Sequence, residues 1–170
     1  MMVIVMGVCG CGKTTVGRAL ARELDHEFLD ADDFHPEANV AKMANGVALT
    51  DDDRWPWLDA IVAAMHECAA RGRGAVIACS ALKEAYRDRL RRGGGAVDEV
   101  RIVYLKGDTA TIASRLASRS GHYMPASLLE SQFDALEEPR DAIVVDIRQP
   151  TEDQARQAAA TLRSTSDSAA

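Results

Sequence analysis

A glycine-rich octapeptide near the amino terminus constrains this 170-residue chain more than any other feature. Residues 7–14 read Gly-Val-Cys-Gly-Cys-Gly-Lys-Thr and match the pattern G-x-x-x-x-G-K-[ST] in full. The apolar residues 3–6 predict a buried strand before the loop, and residues 12–24 predict a helix after it. Because such a loop wraps phosphate oxygens with backbone N–H groups, the sequence predicts a bound nucleoside triphosphate rather than an idle glycine-rich turn.

The residues of this loop receive separate predicted roles. Lys13 is expected to reach the β- and γ-phosphates and to act in catalysis, and the Thr14 hydroxyl is expected to bind Mg²⁺. Two cysteines at a helix amino terminus beside Lys13 also suggest thiols of lowered pKa that oxidation could modify. The predicted ATP-binding residues of the loop are Gly7, Val8, Cys9, Gly10, Cys11, Gly12, Lys13, Thr14 and Thr15.

Composition excludes several classes of partner. The net charge of −6 argues against binding to nucleic acid or to an anionic membrane surface. The sequence shows no apolar run of about 18 residues and no charged region before the first strand, so neither a membrane span nor a signal peptide is expected. The four cysteines show no zinc-binding spacing. Free thiols and a cytoplasmic location are therefore expected.

Strands and helices alternate along the chain, which predicts an α/β fold. The expected strands are short and apolar, as in a parallel sheet that is covered on two sides. We predict a three-layer fold with a central five-stranded parallel sheet and helices on both faces. We expect a single domain over residues 1–163 and a disordered tail over 164–170. The five strands are predicted at residues 3–6, 27–30, 75–79, 100–105 and 143–145.

Acidic residues follow the second predicted strand, at the edge of the sheet where ligands bind. Asp30 and Asp32 have the same side-chain direction on an extended chain, and the strand is expected to lie beside the loop-bearing strand. A kinase needs one acid near magnesium and another beside the attacking hydroxyl, which suits Asp30 and Asp32 respectively. Asp33 suits a helix cap better. The chain lacks the N-K-x-D base reader of guanine-nucleotide switches.

The segment from Thr50 to Trp57 combines a helix start with an unexplained cation. Thr50 is a predicted N-cap with Asp53 as its capping-box partner, and the acids favour the positive end of the helix dipole. Arg54 in the same turn is a natural partner for a substrate carboxylate, because its planar guanidinium can pair with two oxygens.

Several segments together resemble the gluconokinase family, in family order and over residues 3–150. The resemblance implies ATP-dependent phosphorylation of D-gluconate at the 6-position, a fold shared with shikimate and nucleoside monophosphate kinases, and a homodimer. It departs from the usual pattern at Cys9 and Cys11, where serines are common, and at Ala31, where glycine is usual. The matching segments are residues 28–36, 39–43, 49–58, 79–87, 104–107, 121–124, 132–133 and 145–147.

The resemblance also assigns residues of the acceptor site. It implies that Asp32 lies beside the substrate hydroxyl as the base and that Asp30 lies near the magnesium. Cations are expected to hold the gluconate carboxylate, and other polar groups its hydroxyls. The implied substrate-binding residues are Asp32, His35, Asn39, Arg54, Lys83 and Arg87.

Two further segments complete the predicted ATP site. Arg115 and Arg119 are four residues apart on a predicted helix that leads to a mobile lid at about residues 117–126, and Arg119 is expected to act in catalysis. In related kinases the segment after the last strand helps to hold the adenine ring, so the resemblance implies this role for Gln149 and Pro150. Asp146 ends the last strand and could be mistaken for a magnesium-binding acid. Asp30 is preferred as the magnesium ligand, because its strand is expected to lie beside the loop-bearing strand.

Two other functions stay open on the sequence. One is a kinase for another small hydroxy acid, such as shikimate. The other is a nucleotide-binding protein that senses a metabolite and transfers no phosphate. The preserved Lys13, Thr14, Asp32 and Arg119 favour a working enzyme.

Overall fold

The computed structural model describes residues 1–93, 99–117 and 126–167. Five strands and seven α-helices alternate along these ranges, and a 3₁₀ helix occupies Ala31–Phe34. The strands are β1 (Met2–Met6), β2 (Glu27–Asp30), β3 (Ala75–Ala78), β4 (Val100–Lys106) and β5 (Ile143–Asp146). The helices are α1 (Lys13–Leu24), α2 (Glu37–Ala44), α3 (Asp51–Ala70), α4 (Glu84–Gly93), α5 (Thr109–Ala117), α6 (Ala126–Asp134) and α7 (Thr151–Asp167).

The strands form one parallel sheet in the order β2-β3-β1-β4-β5. This arrangement confirms the predicted five-stranded α/β fold. The prediction that β2 lies beside β1 is wrong, because β3 is inserted between them. The crossover through α1 therefore skips a strand position, and β2 becomes an edge strand. All five carboxyl ends still meet at one edge of the sheet, where functional residues of parallel sheets gather.

The two faces of the sheet carry separate apolar clusters. Alternate residues of β1 divide between them, as the two-residue period of a strand requires. Val3 and Val5 pack with residues of α1 and α7, whereas Ile4 packs with residues of α3 and α4. Helices on both sides thus bury the sheet and hold its carboxyl edge in place.

Local capping signals set several helix boundaries. Thr50 and Asp53 form the predicted capping box at the start of α3. The last helix continues to Asp167, into the segment 164–170 that the sequence suggested to be a disordered tail. Hydroxyls of Ser164 and Thr165 donate to the carbonyl of Thr161, so these polar residues bond within the helix. No helix in the described part of the chain is long and apolar enough to span a membrane.

Candidate active site

The glycine-rich loop leaves β1 and enters α1 as predicted. Gly12 is the N-cap of α1 with a φ of 103°, a left-handed conformation that glycine adopts without strain. Gly10 has a φ of 83°, and a Cβ atom there would lie 2.8 Å from Leu116 of α5. Both positions therefore require glycine. The turn brings the amino terminus of α1, with its partial positive charge, to the mouth of the loop.

Lys13 lies within this loop and bonds to it. Its Nζ donates to the carbonyl oxygens of Gly7 and Val8, at 3.1 and 3.2 Å. The Gly7 N–H in turn donates to the carbonyl of Ser80 after β3, at 3.4 Å. The loop is thus joined to the segment after the neighbouring strand β3. The Lys13 ammonium group is held by the first two carbonyl groups of the loop.

Thr14 and Asp30 meet across the carboxyl edge of the sheet. The Thr14 hydroxyl donates to Asp30 Oδ2 at 3.0 Å. Asp30 Oδ1 accepts from the Asp32 N–H at 3.3 Å, which makes Asp30 the N-cap of the 3₁₀ helix. The extended chain predicted through Asp32 is therefore wrong, since Asp30 turns it into a helical turn. Asp32 lies on that turn with an exposed side chain.

The predicted substrate cations lie together at the start of α3 and α4. Lys83 Nζ donates to both oxygens of Asp51, each at 2.9 Å, and Tyr86 donates its hydroxyl proton to Asp51 Oδ1 at 2.5 Å. Arg54 lies 3.5 Å from Asp51 Oδ1 and 3.3 Å from the Tyr86 hydroxyl. We call these four residues, Asp51, Arg54, Lys83 and Tyr86, the acceptor cluster.

The acceptor cluster favours the charged forms of Asp51 and Lys83 and the neutral form of Tyr86. The Tyr86 hydrogen bond, followed by that from Lys83, lowers the pKa of Asp51. The Asp51 hydrogen bond raises the pKa of Lys83. Burial raises the pKa of Tyr86, so the phenol stays protonated and can donate. Two cations thus share a single internal carboxylate, which leaves positive charge for an anion.

His35 and Asn39 lie beside the acceptor cluster but differ in exposure. The His35 ring stacks on buried Trp57 with centroids 4.4 Å apart, and burial lowers its pKa. Asn39 is 3% exposed, donates to the carbonyl of Asp53 at 2.8 Å, and lies 3.4 Å from His35 Nδ1. Asn39 therefore joins α2 to α3 behind the His35 ring.

Arg87 departs from its predicted role, because it lies inside the protein. Its side chain is 0% exposed, and its N–H groups donate to Glu84 and to the carbonyls of Ala81, Leu82 and Glu137. With five such bonds, every guanidinium proton has an acceptor. The prediction that Arg87 binds substrate is therefore corrected: it joins α4 to the segment that follows α6.

The segment predicted to lie near the adenine ring is organised around the carbonyl group of Ile147. Ile147 O accepts from Arg115 and from the Nε2 of buried Gln154, the latter at 3.1 Å. Arg115 also donates to Cys11 O at 3.4 Å, and Gln154 to Gln149 O at 2.7 Å. Arg115 thus links the phosphate loop with the segment of exposed Gln149 and Pro150. Arg119 and most of the predicted lid lie outside the described residues.

The cysteines are all free, as predicted. The suggestion of a lowered thiol pKa is wrong for Cys11. Burial raises its pKa, and the nearby Lys13 charge offsets that effect only in part. Desolvation outweighs the cation because the thiol is fully buried against the core.

Sequence reasoning missed three residues of this region. Asp51 was read only as an acid at a helix start, and Tyr86 only as part of a matching segment. Gln132 received no role, although its Oε1 accepts from the Cys9 N–H of the phosphate loop. Its signals were its place in the matching segment 132–133 and the helix face that it shares with Leu129 and Phe133.

Fold and site together define the class of protein. A phosphate loop between a strand and a helix shares the carboxyl edge of the sheet with a cationic acceptor cluster, which is the arrangement of a nucleotide-binding P-loop kinase that uses ATP. A family profile described as an AAA domain matches residues 2–143.

Similar proteins identify the family within this class. The chain is 41% identical to the thermosensitive gluconokinase of Escherichia coli K12, over 94% of this chain and 88% of the other. It is 49% identical to a gluconokinase of Gluconobacter oxydans, over 81% and 76% of the two chains. The crystal structure of a gluconokinase from Sinorhizobium meliloti superposes with a TM-score of 0.85 at 41% identity, over 98% and 94%. The chain belongs to the gluconokinase family.

Proposed function

We propose that this protein transfers the γ-phosphoryl group of ATP to the 6-hydroxyl of D-gluconate. The observation that carries the proposal is the acceptor cluster, in which Arg54 and Lys83 share the Asp51 carboxylate at the carboxyl edge of the sheet. A sugar acid supplies the missing anion through its carboxylate. It also offers hydroxyl groups to the exposed polar side chains around Asp32, and the related gluconokinases point to the same substrate.

In this proposal the protein mainly positions the reactants and neutralises charge. Asp32 accepts the proton of the attacking hydroxyl as its oxygen bonds to the γ-phosphorus and the bond to the ADP oxygen breaks. Lys13 and the loop N–H groups hold the phosphates. Arg54 and Lys83 hold the gluconate carboxylate, while His35 contributes to sugar recognition with Asn39 as its support. Arg119 keeps its predicted catalytic role.

The residues also fit a magnesium ion. A hydroxyl and a carboxylate oxygen, from Thr14 and Asp30, are hard ligands of the kind Mg²⁺ takes while keeping several waters. Within the described ranges no group of three His, Cys, Asp or Glu side chains is placed to hold a metal. When bound, the ion neutralises charge on the β- and γ-phosphates.

We further propose that the protein is cytoplasmic and forms a homodimer.

The test is ADP release by the purified protein across D-gluconate, shikimate and nucleoside monophosphates. We expect gluconate to raise the rate far above the ATP-only blank and the other acceptors to leave it near that blank. A response to shikimate alone would reassign the substrate, and no response to any acceptor would favour a nucleotide-binding sensor. Light scattering of the same preparation measures whether the protein is a dimer.

A further inference from the structure

Helix α6 reaches into the phosphate loop with one polar side chain. The Oε1 of Gln132 accepts from the backbone N–H of Cys9 at 2.6 Å, across 123 residues of sequence. Backbone N–H groups of this loop are the donors that hold phosphate oxygens. A carboxamide oxygen therefore already occupies one backbone N–H group of this loop.

The position of Gln132 follows from how α6 packs. Leu129 is 4% exposed, and both Leu129 and Phe133 contact the apolar cluster that contains Val8 and Cys11 of the phosphate loop. Residues three and four apart share one helix face, so Gln132 lies on the face that Leu129 and Phe133 direct toward the loop. The contact with Cys9 is thus supported by apolar packing on either side.

The segment after α6 is joined to the acceptor side of the molecule. The Glu137 N–H donates to Leu82 O at 3.0 Å, and the Glu137 carbonyl accepts from Arg87 at 2.8 Å. Glu137 Oε2 accepts from the N–H of Glu84 at 2.5 Å. The helix that carries Gln132 is therefore connected to the segment that precedes and follows Lys83.

We propose that the Gln132 carboxamide competes with a phosphate oxygen of ATP for the backbone N–H of Cys9. One N–H points at one acceptor at good geometry, so a phosphate oxygen displaces the Gln132 carboxamide when ATP binds. The displacement changes the contact between α6 and the loop, and through Glu137 it reaches the Lys83 segment. Phosphate binding and the acceptor side are thereby linked through one side chain.

Variants at position 132 test the competition without any acceptor substrate. Gln132→Met keeps the length of the side chain and its packing but removes the oxygen. We expect it to bind ATP about threefold to tenfold more tightly than the wild type, the range for loss of one neutral hydrogen bond. Gln132→Glu places a charged, stronger acceptor on the same N–H, and we expect it to bind ATP at least about tenfold more weakly.

Calorimetric titration with ATP and with adenosine separates this role from a structural one. Adenosine has no phosphate, so its affinity should stay within about twofold in both variants. Gln157→Ala, an exposed position on α7, is the matched control and should leave both affinities unchanged. Thermal unfolding confirms that each variant is folded. Unchanged or weaker ATP binding by Gln132→Met, or unchanged binding by Gln132→Glu, would overturn the proposal. Because the proposal rests on ATP binding alone, failure of gluconate turnover would leave this test unaffected.

Discussion

Lys83 Nζ lies 2.9 Å from both carboxylate oxygens of Asp51, so a cation assigned to the substrate carboxylate already holds a carboxylate of the protein. Arg54 and Tyr86 contact the same Asp51 oxygen. This internal ion pair keeps Lys83 and Arg54 side by side in the absence of substrate. Such preorganisation lowers the entropy that ordering these long side chains would otherwise cost on binding.

Removal of either cation should weaken gluconate binding specifically. A hydrogen bond to a charged group contributes about 1.5–3 kcal/mol, so Lys83→Ala and Arg54→Ala should each raise KM for gluconate by about tenfold or more. KM for ATP should stay within about twofold, because neither side chain contacts the phosphate loop. Steady-state kinetics with each substrate varied in turn measures both values.

Arg89→Ala is the matched control for the cation variants. Arg89 lies on α4, six residues after Lys83, but it is half exposed and pairs with Asp59 instead of Asp51. It should leave both KM values unchanged. Equal increases in both KM values for Lys83→Ala would contradict the assignment of the acceptor cluster to the sugar acid.

Replacement of the proposed base should abolish turnover without loss of nucleotide binding. General-base catalysis contributes about 10²- to 10⁴-fold, so Asp32→Asn should lower kcat within that range. Equilibrium binding of ATP should persist, because the loop and Lys13 are untouched. Asp33→Asn, an exposed neighbour in the same turn, is the control. Wild-type turnover by Asp32→Asn would show that another group accepts the proton.

Local sequence signals predicted the parts of this molecule that depend on neighbours along the chain. The capping box of Thr50 and Asp53 and the phosphate loop before α1 involve residues a few positions apart. Their chemistry is therefore visible in the sequence. The five strands were visible for the same reason, since each is a short apolar run.

Contacts between distant segments were less predictable. The insertion of β3 between β1 and β2 is a choice of strand order that no single strand encodes. Lys83 and Arg87 look alike as cations of one segment, yet Lys83 precedes α4 and is partly exposed while Arg87 lies within it and is buried. The Glu84 carboxylate and the carbonyl groups of Ala81, Leu82 and Glu137, which the tertiary fold brings together around Arg87, explain that difference.

The buried Arg87 should contribute to stability rather than to substrate binding. Arg87→Met removes the donor of Glu84 Oε2 and of the Ala81 and Glu137 carbonyls, whereas Leu82 O keeps the Glu137 N–H and Glu84 Oε1 keeps Arg91. A buried acceptor that loses its donor costs about 1–3 kcal/mol, so the free energy of unfolding should fall by at least that amount. Chemical denaturation measures it, with the surface variant Arg89→Ala expected to change stability by no more than about 0.5 kcal/mol. If Arg87→Met has the stability of the wild type but a raised KM for gluconate, Arg87 binds the substrate as the sequence predicted.

The capping box should make stability depend on pH in the acid range. The hydrogen bond from Lys42, followed by those from Thr50, lowers the pKa of Asp53 from 3.8 to about 2. Folding thus favours the charged carboxylate. Its contribution is fully present above about pH 4, the unfolded pKa, and is lost as the pH falls toward 2.

Asp53→Asn removes that titration. Between pH 4 and pH 2 the free energy of unfolding should fall less steeply in Asp53→Asn than in the wild type, and at pH 7 the variant should be the less stable. Urea unfolding at several pH values gives both slopes. Asp52→Asn, exposed in the same turn, should retain the wild-type slope. Parallel slopes for Asp53→Asn and the wild type would contradict the assigned cause.

Transfer of phosphate to the primary hydroxyl of gluconate is most directly tested by ³¹P nuclear magnetic resonance of the reaction mixture. The protein is incubated with ATP, Mg²⁺ and D-gluconate, and the spectrum is recorded without proton decoupling. The account predicts that ADP and one new phosphomonoester appear together, and that two equivalent couplings from a CH₂ group split the phosphomonoester signal into a triplet. A doublet from a secondary position, or inorganic phosphate alone at the level of a mixture without gluconate, would contradict it.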